Sequence, residues 1–166
     1  QDGYAPLRQY WHSIALREPV VLPEIPSQMI YINEIMTSNG SYVRDQAGDN
    51  PDWIELYNAD TQTVSIAGYY ITDLISNPTK FQFPQITAQT TMETGSFKVL
   101  WADQNTIQGP LHLNFSLSPT GGFVGLFAPD GETLIDGAQY PAMSEGNSYG
   151  RYLDGADNWK LLFYAT

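Results

Sequence analysis

Ser148 sits at the centre of Gly146-Asn147-Ser148-Tyr149-Gly150, which fits the G-x-S-x-G pattern that presents a serine hydroxyl as a nucleophile. That chemistry needs a strand before the serine, a helix after it, and a histidine base. Here Arg151-Tyr152-Leu153 runs on like a strand, and Asp154-Gly155 turns. The two histidines, His12 and His112, both precede the serine. The stretch reads as a turn, and no residue is assigned a catalytic role. A second group is acidic. Glu34, Asp45, Asp49 and Asp52 lie in or beside the 37–51 loop and supply oxygens of the kind calcium takes, six to eight at a time. Their spacing does not match an EF-hand. The plainer reading gives Glu34 a hydrogen bond to loop amides or to Arg44. A third group is aromatic. Trp53 and Tyr57 flank Glu55 on one side of a strand, with Tyr69 and Tyr70 beyond, a set able to stack on sugar rings. The plainer reading has these rings covering the second face of the sheet. Arg151, with few bases around it, is expected to pair with an acid across the sheet.

The elements that must position these groups are strands. Asp52-Trp53-Ile54-Glu55-Leu56-Tyr57-Asn58 alternates with period two, so Ile54 and Leu56 face a core while Trp53, Glu55 and Tyr57 face away. Met29 to Met36 alternates too, with Ile30, Ile32 and Glu34 on one side and Tyr31, Asn33 and Ile35 on the other. Further short strands are expected at 63–66, 69–72, 80–83, 97–101, 112–117, 123–127, 133–136, 148–153 and 159–163. Pro129-Asp130-Gly131 marks a hairpin turn. No run of ten residues shows the three-and-four spacing of a helix. Short strands broken by turns predict an all-β sandwich.

Composition narrows the function. The 166 residues carry 18 acids against 7 bases, a net charge of −11, which repels phosphate backbones and argues against nucleic acid. With no cysteine there is no disulfide framework and no thiolate metal site. No apolar run approaches the roughly 20 residues of a membrane span. The chain starts at Gln1 rather than Met, as expected of a trimmed or mature protein. Residues 1–28, broken by Pro19, Pro23 and Pro26, read as an N-terminal extension or linker too apolar to hang free. Residues 29–166 read as the domain.

Several motifs in order resemble the lamin tail domain family in its bacterial secreted form. They are Ile32-Asn33-Glu34-Ile35, the 52–58 strand, Ile66-Ala67-Gly68-Tyr69-Tyr70-Ile71-Thr72-Asp73, and Lys80-Phe81-Gln82-Phe83-Pro84. Gly95 before Phe97-Lys98-Val99-Leu100-Trp101-Ala102, Gly125-Leu126-Phe127 before Pro129-Asp130-Gly131, and Ser148-Tyr149-Gly150-Arg151 complete the set across about 29–160. The resemblance implies an immunoglobulin-like β-sandwich and a non-catalytic accessory module of an exported protein. Its setting would be extracellular, periplasmic or the cell surface, and its partner a protein or a glycan there. The nuclear members' basic surface does not carry over to so acidic a chain. The alternative is a carbohydrate-binding module built on Trp53, Glu55 and Tyr57, with a structural calcium held by Glu34, Asp45, Asp49 and Asp52.

Overall fold

A computed structural model describes residues 29–163, so the expectation for the 1–28 segment lies outside the described residues. Eleven strands follow in order: β1 (Ile30–Met36), β2 (Trp53–Asn58), β3 (Val64–Ser65), β4 (Tyr70–Thr72), β5 (Phe81–Gln82), β6 (Thr91–Met92), β7 (Phe97–Trp101), β8 (Gly121–Phe127), β9 (Leu134–Pro141), β10 (Ser148–Arg151) and β11 (Trp159–Leu162). One helical turn, Thr87–Thr90, and one 3₁₀ turn, Thr106–Gln108, interrupt them. A five-stranded sheet runs β11-β10-β1-β2-β7 and a four-stranded sheet runs β5-β4-β8-β9, with a small β3-β6 pair beside them. Every ladder is antiparallel, and the architecture is the immunoglobulin-like sandwich.

The core lies between the two large sheets. Ile30, Ile32, Ile35, Ile54, Leu56 and Leu100 come from one, and Ile71, Val124, Leu126, Ala138 and Tyr140 from the other. Ile54 and Leu56 are both 0% exposed, as the alternation of β2 requires. Burying each such side chain contributes about 1.5–3 kcal/mol.

The alternation of β1 fails halfway, and the failure is instructive. Register shifts between Ile32 and Glu34, a β-bulge at Asn33. A bulge adds one residue and swaps faces beyond it. Ile35 therefore joins Ile30 and Ile32 inside, opposite Ile54, while Glu34 moves to the outer face opposite Glu55. The expectation that Glu34 shares a face with Ile30 and Ile32 is corrected by this one residue.

Beside the bulge, where the β1–β10 pairing stops at Glu34 with Gly150, the backbone of Ile32 is met by side chains. Asp136 Oδ2 accepts the Ile32 N–H at 2.7 Å, and Arg151 Nε donates to the Ile32 carbonyl at 2.9 Å. Arg151 Nη2 reaches both Asp136 oxygens at 3.0 Å, and Nη1 donates to the Ala156 carbonyl at 2.8 Å. Asp136 is on β9 and Arg151 on β10, so this buried pair ties the two sheets together across the bulge. The guanidinium is flanked by the rings of Tyr31 and Trp159, 5.1 and 4.7 Å away. Burial pushes the Asp136 carboxyl above its ordinary value, against the pull of Arg151 and the amides. Arg151 thus has the structural role expected, with its acid in the facing sheet.

The expected strand at 112–117 is the other departure. Leu113, Phe115 and Leu117 are buried in alternation, but pairing is limited to single bridges, Trp101 with His112 and Asp103 with Ser116. Here the two-residue period records side chains entering the core rather than a continuous ladder.

Two stability outcomes follow. Leu56→Ala should lose about 2–5 kcal/mol in urea or guanidinium unfolding, because it opens a cavity in the fully buried core. Arg151→Ala should lose about 3–5 kcal/mol, because it strands Asp136 as an uncompensated buried charge. A loss under about 1 kcal/mol in the second variant would mean that the clasp is dispensable.

Candidate functional site

The outer face of the five-stranded sheet carries most of the chemistry-bearing side chains, and loops roof it. The 37–51 loop is pinned by Asn39. Its Nδ2 donates to the carbonyls of Val43 and Pro51, and its Oδ1 accepts the Val43 N–H at 3.0 Å. The loop lays Val43 on a second apolar cluster of Met36, Trp53 and Trp101. Trp53 is consequently only 2% exposed, and its indole N–H is buried without a partner among the described residues. Trp53 points outward as expected, and its burial fits the plainer reading, in which the rings cover the second face, rather than the sugar-stacking one. Tyr57 is half-buried and stacks on Phe97 at 4.9 Å, and Gly155 of the β10–β11 turn sits against Tyr31 and Tyr57. Tyr69 is buried. The continuous aromatic strip proposed for sugars is thus replaced by a covered sheet face.

Ser148 is also on this face, 0% exposed, and its hydroxyl donates to Glu34 Oε1. The flanking glycines answer to space rather than catalysis. Gly146 has φ +79°, in the left-handed region, and a Cβ there would meet the Tyr42 ring. A Cβ on Gly150 would press on the Glu34 side chain at 3.1 Å. Glu34 thus has Ser148 as a hydroxyl donor from β10, while Arg44, the base considered for it, is exposed.

The four acids considered for calcium are dispersed. Glu34 is buried beside Ser148. Asp49 is exposed and contributes its backbone to the loop. Asp52 immediately precedes β2 and accepts the Leu117 N–H. Among the described residues, the acids and histidines close enough to share an ion are instead Asp45, Asp103 and His112, whose ligand atoms lie within 4.8 Å of one another. Asp45 comes from the 37–51 loop, Asp103 from the end of β7, and His112 from the loop that returns beside Trp101. His112 Nδ1 is 2.7 Å from Asp103 Oδ2. Each aspartate is anchored through its other oxygen. Asp45 Oδ1 accepts the amides of Ala47 and Asp49 at 2.9 Å, and Asp103 Oδ1 accepts that of Asn105 at 3.0 Å. A cleft of about 100 Å³ opens beside His112, lined also by Trp101, Gln46, Gln89 and Gln108. Of this trio, sequence reasoning selected Asp45 alone. His112 entered it only as a remote base, and Asp103 only as a strand end.

A family model described as Lamin Tail Domain matches residues 23–142. No curated protein and no solved structure matches the chain.

Two carboxyls near β2 make the domain sensitive to pH. Burial raises Glu55 to about 7, helped by the charges of Glu34 and Asp154 and opposed by the amide of Asn33, which bridges Glu55 and Asp154. Burial raises Asp52 to about 6. A carboxyl with a raised folded value holds its proton longer in the folded state than in the unfolded one. Stability is therefore greatest below the unfolded values and falls as pH rises, from about 4.5 to about 7 for Glu55. The denaturation midpoint should decline between about pH 4 and about pH 7, and Glu55→Gln should flatten that decline while keeping the Asn33 contact. An unchanged slope in Glu55→Gln would show that this carboxyl titrates normally.

Proposed function

This chain belongs to the lamin tail domain family, and from that premise we propose that it serves as a non-catalytic interaction module of an exported protein, binding an extended segment of a protein partner along a sheet edge. The family is an immunoglobulin-like interaction domain and not a known family of enzymes. The exported setting, outside the cell or at its surface, rests on the likeness of the motifs to the bacterial secreted form.

The observation that carries the reading is the β10–β11 hairpin. β11 is the outermost strand of its sheet, and among the described residues no strand pairs with its far side. Tyr152, Leu153, Leu161 and Phe163, all in or next to this hairpin, are 54, 73, 40 and 69% exposed. An edge strand offers unpaired N–H and C=O groups, and apolar side chains beside it supply pockets for alternate residues of an added strand. The serine that a hydrolase would need is enclosed and bonded to Glu34, which supports binding over turnover. The glycan reading loses its support with the burial of Trp53.

The test is a footprint. Extended peptides selected from a displayed library should perturb backbone amides of 148–163, and Leu161→Asp combined with Phe163→Ser should weaken them by roughly tenfold, about 1.4 kcal/mol, without shifting the melting midpoint. A footprint confined to another sheet edge, or turnover of an ester or glycoside, would count against the proposal.

A further inference from the structure

We propose that Asp45, Asp103 and His112 form a binding site for a divalent transition-metal ion of the zinc class, with a coordination position left open toward the neighbouring cleft. The site goes beyond the edge-binding role and does not depend on it.

The first observation is convergence. Two segments far apart in sequence, the 37–51 loop with Asp45 and the β7–β8 connection with Asp103 and His112, bring one imidazole and two carboxylates within 4.8 Å. Ligands of zinc sit about 2.0–2.2 Å from the ion, so in a tetrahedral site two of them lie about 3.3–3.6 Å apart. Closing the trio around one ion would draw Asp45 in by up to roughly an ångström and part His112 Nδ1 from Asp103 Oδ2, now at 2.7 Å.

The second observation is independent. Asp45 is only 7% exposed, and its Oδ2 is buried with no hydrogen-bond partner among the described residues. A buried carboxylate oxygen without a donor is costly, and such groups are normally satisfied. The other oxygen of Asp45 is already held by two loop amides, so its orientation is fixed. Asp103 is built in the same way, with Oδ1 on an amide and Oδ2 toward His112. Both carboxylates are therefore preset, and a cation between them supplies the charge that Asp45 Oδ2 lacks. Coordination through His112 Nδ1 requires the tautomer with its proton on Nε2. In that tautomer Nδ1 has given its proton to solvent and Nε2 has taken one from it, so the ion binds the free lone pair of Nδ1.

The donor set selects the ion. Calcium takes six to eight oxygens, and an imidazole is a poor substitute for one of them. One nitrogen and two carboxylates suit zinc, manganese, cobalt or nickel. Three protein ligands also leave a vacancy for a water or another oxygen donor. The cleft beside His112, with Gln46, Gln89 and Gln108 on its walls, gives that donor a path. This assigns Asp45 to a metal, as its sequence context suggested, but with different partners and a softer ion.

The experiment uses the whole 166-residue chain, stripped with chelator and titrated calorimetrically with Zn²⁺. One equivalent should bind with micromolar affinity or better and raise the melting midpoint, while Ca²⁺ at the same concentration should not. Asp45→Asn keeps an oxygen for the loop amides and should cost about tenfold or more in affinity, as should His112→Gln. Cobalt added to the parent should give the visible absorption of a low-symmetry nitrogen–oxygen site, absent from Asp45→Asn. That spectrum reads the site even if His112→Gln does not fold. Failure of the parent to bind, equal binding by Asp45→Asn, or matching stabilisation by Ca²⁺ would each overturn the proposal. Binding that survives both substitutions would place the ion elsewhere, at His12 for instance, and would also overturn it.

Discussion

The structure depends on one buried clasp. Arg151 and Asp136 join the two sheets, and both also hold the backbone of Ile32 beside the bulge in β1. A buried ion pair alone is a weak stabiliser, because desolvation offsets most of its attraction. This pair has further work: it satisfies the amide and the carbonyl of Ile32, and unsatisfied buried backbone is expensive. The bulge in turn sets which side chains of β1 face inward. Without it, Glu34 would enter the core beside Ile30 and Ile32, and Ile35 would leave it.

Moving Glu34 outward has consequences for the second face. There it meets Glu55 across the ladder and takes the hydroxyl of Ser148 from β10. Carboxyls gathered under a roof of loops resist ionisation, which is why Glu55 is raised to about 7. The same roof encloses Trp53 and Trp101. An immunoglobulin-like sheet can leave one face to solvent. In this chain the 37–51 loop and the β10–β11 turn cover much of it. The exposed apolar side chains of the hairpin therefore lie at the sheet's edge rather than on the flat aromatic surface a sugar would need.

The two proposals occupy different parts of the molecule and use different chemistry. The β11 edge offers main-chain groups and apolar side chains. The corner formed by Asp45, Asp103 and His112 offers fixed charges beside a small cleft. The corner is also next to Trp101, so the loop that carries Asp45 and the apolar cluster under it are positioned together. An ion there would fasten the 37–51 loop to the end of β7 and reinforce the roof over the outer face.

Local periodicity settled a good deal by itself. The alternation of Ile54 and Leu56, the turn signals and the lack of helical spacing are short-range properties, and they were sufficient for an all-β sandwich with β2 at its heart. Arg151 has the structural acid partner expected, but that acid, Asp136, lies in the facing sheet rather than across its own. Three things needed the tertiary structure. The bulge at Asn33 reverses parity, and no pattern in Ile32-Asn33-Glu34-Ile35 announces it, since the inserted residue is defined only against β2. The burial of Trp53 depends on a loop folding back over it, which alternation cannot report. The trio joins Asp45 of the 37–51 loop to Asp103 and His112 of the β7–β8 connection, and chain spacing carries no information about side chains that meet only when distant connections have packed.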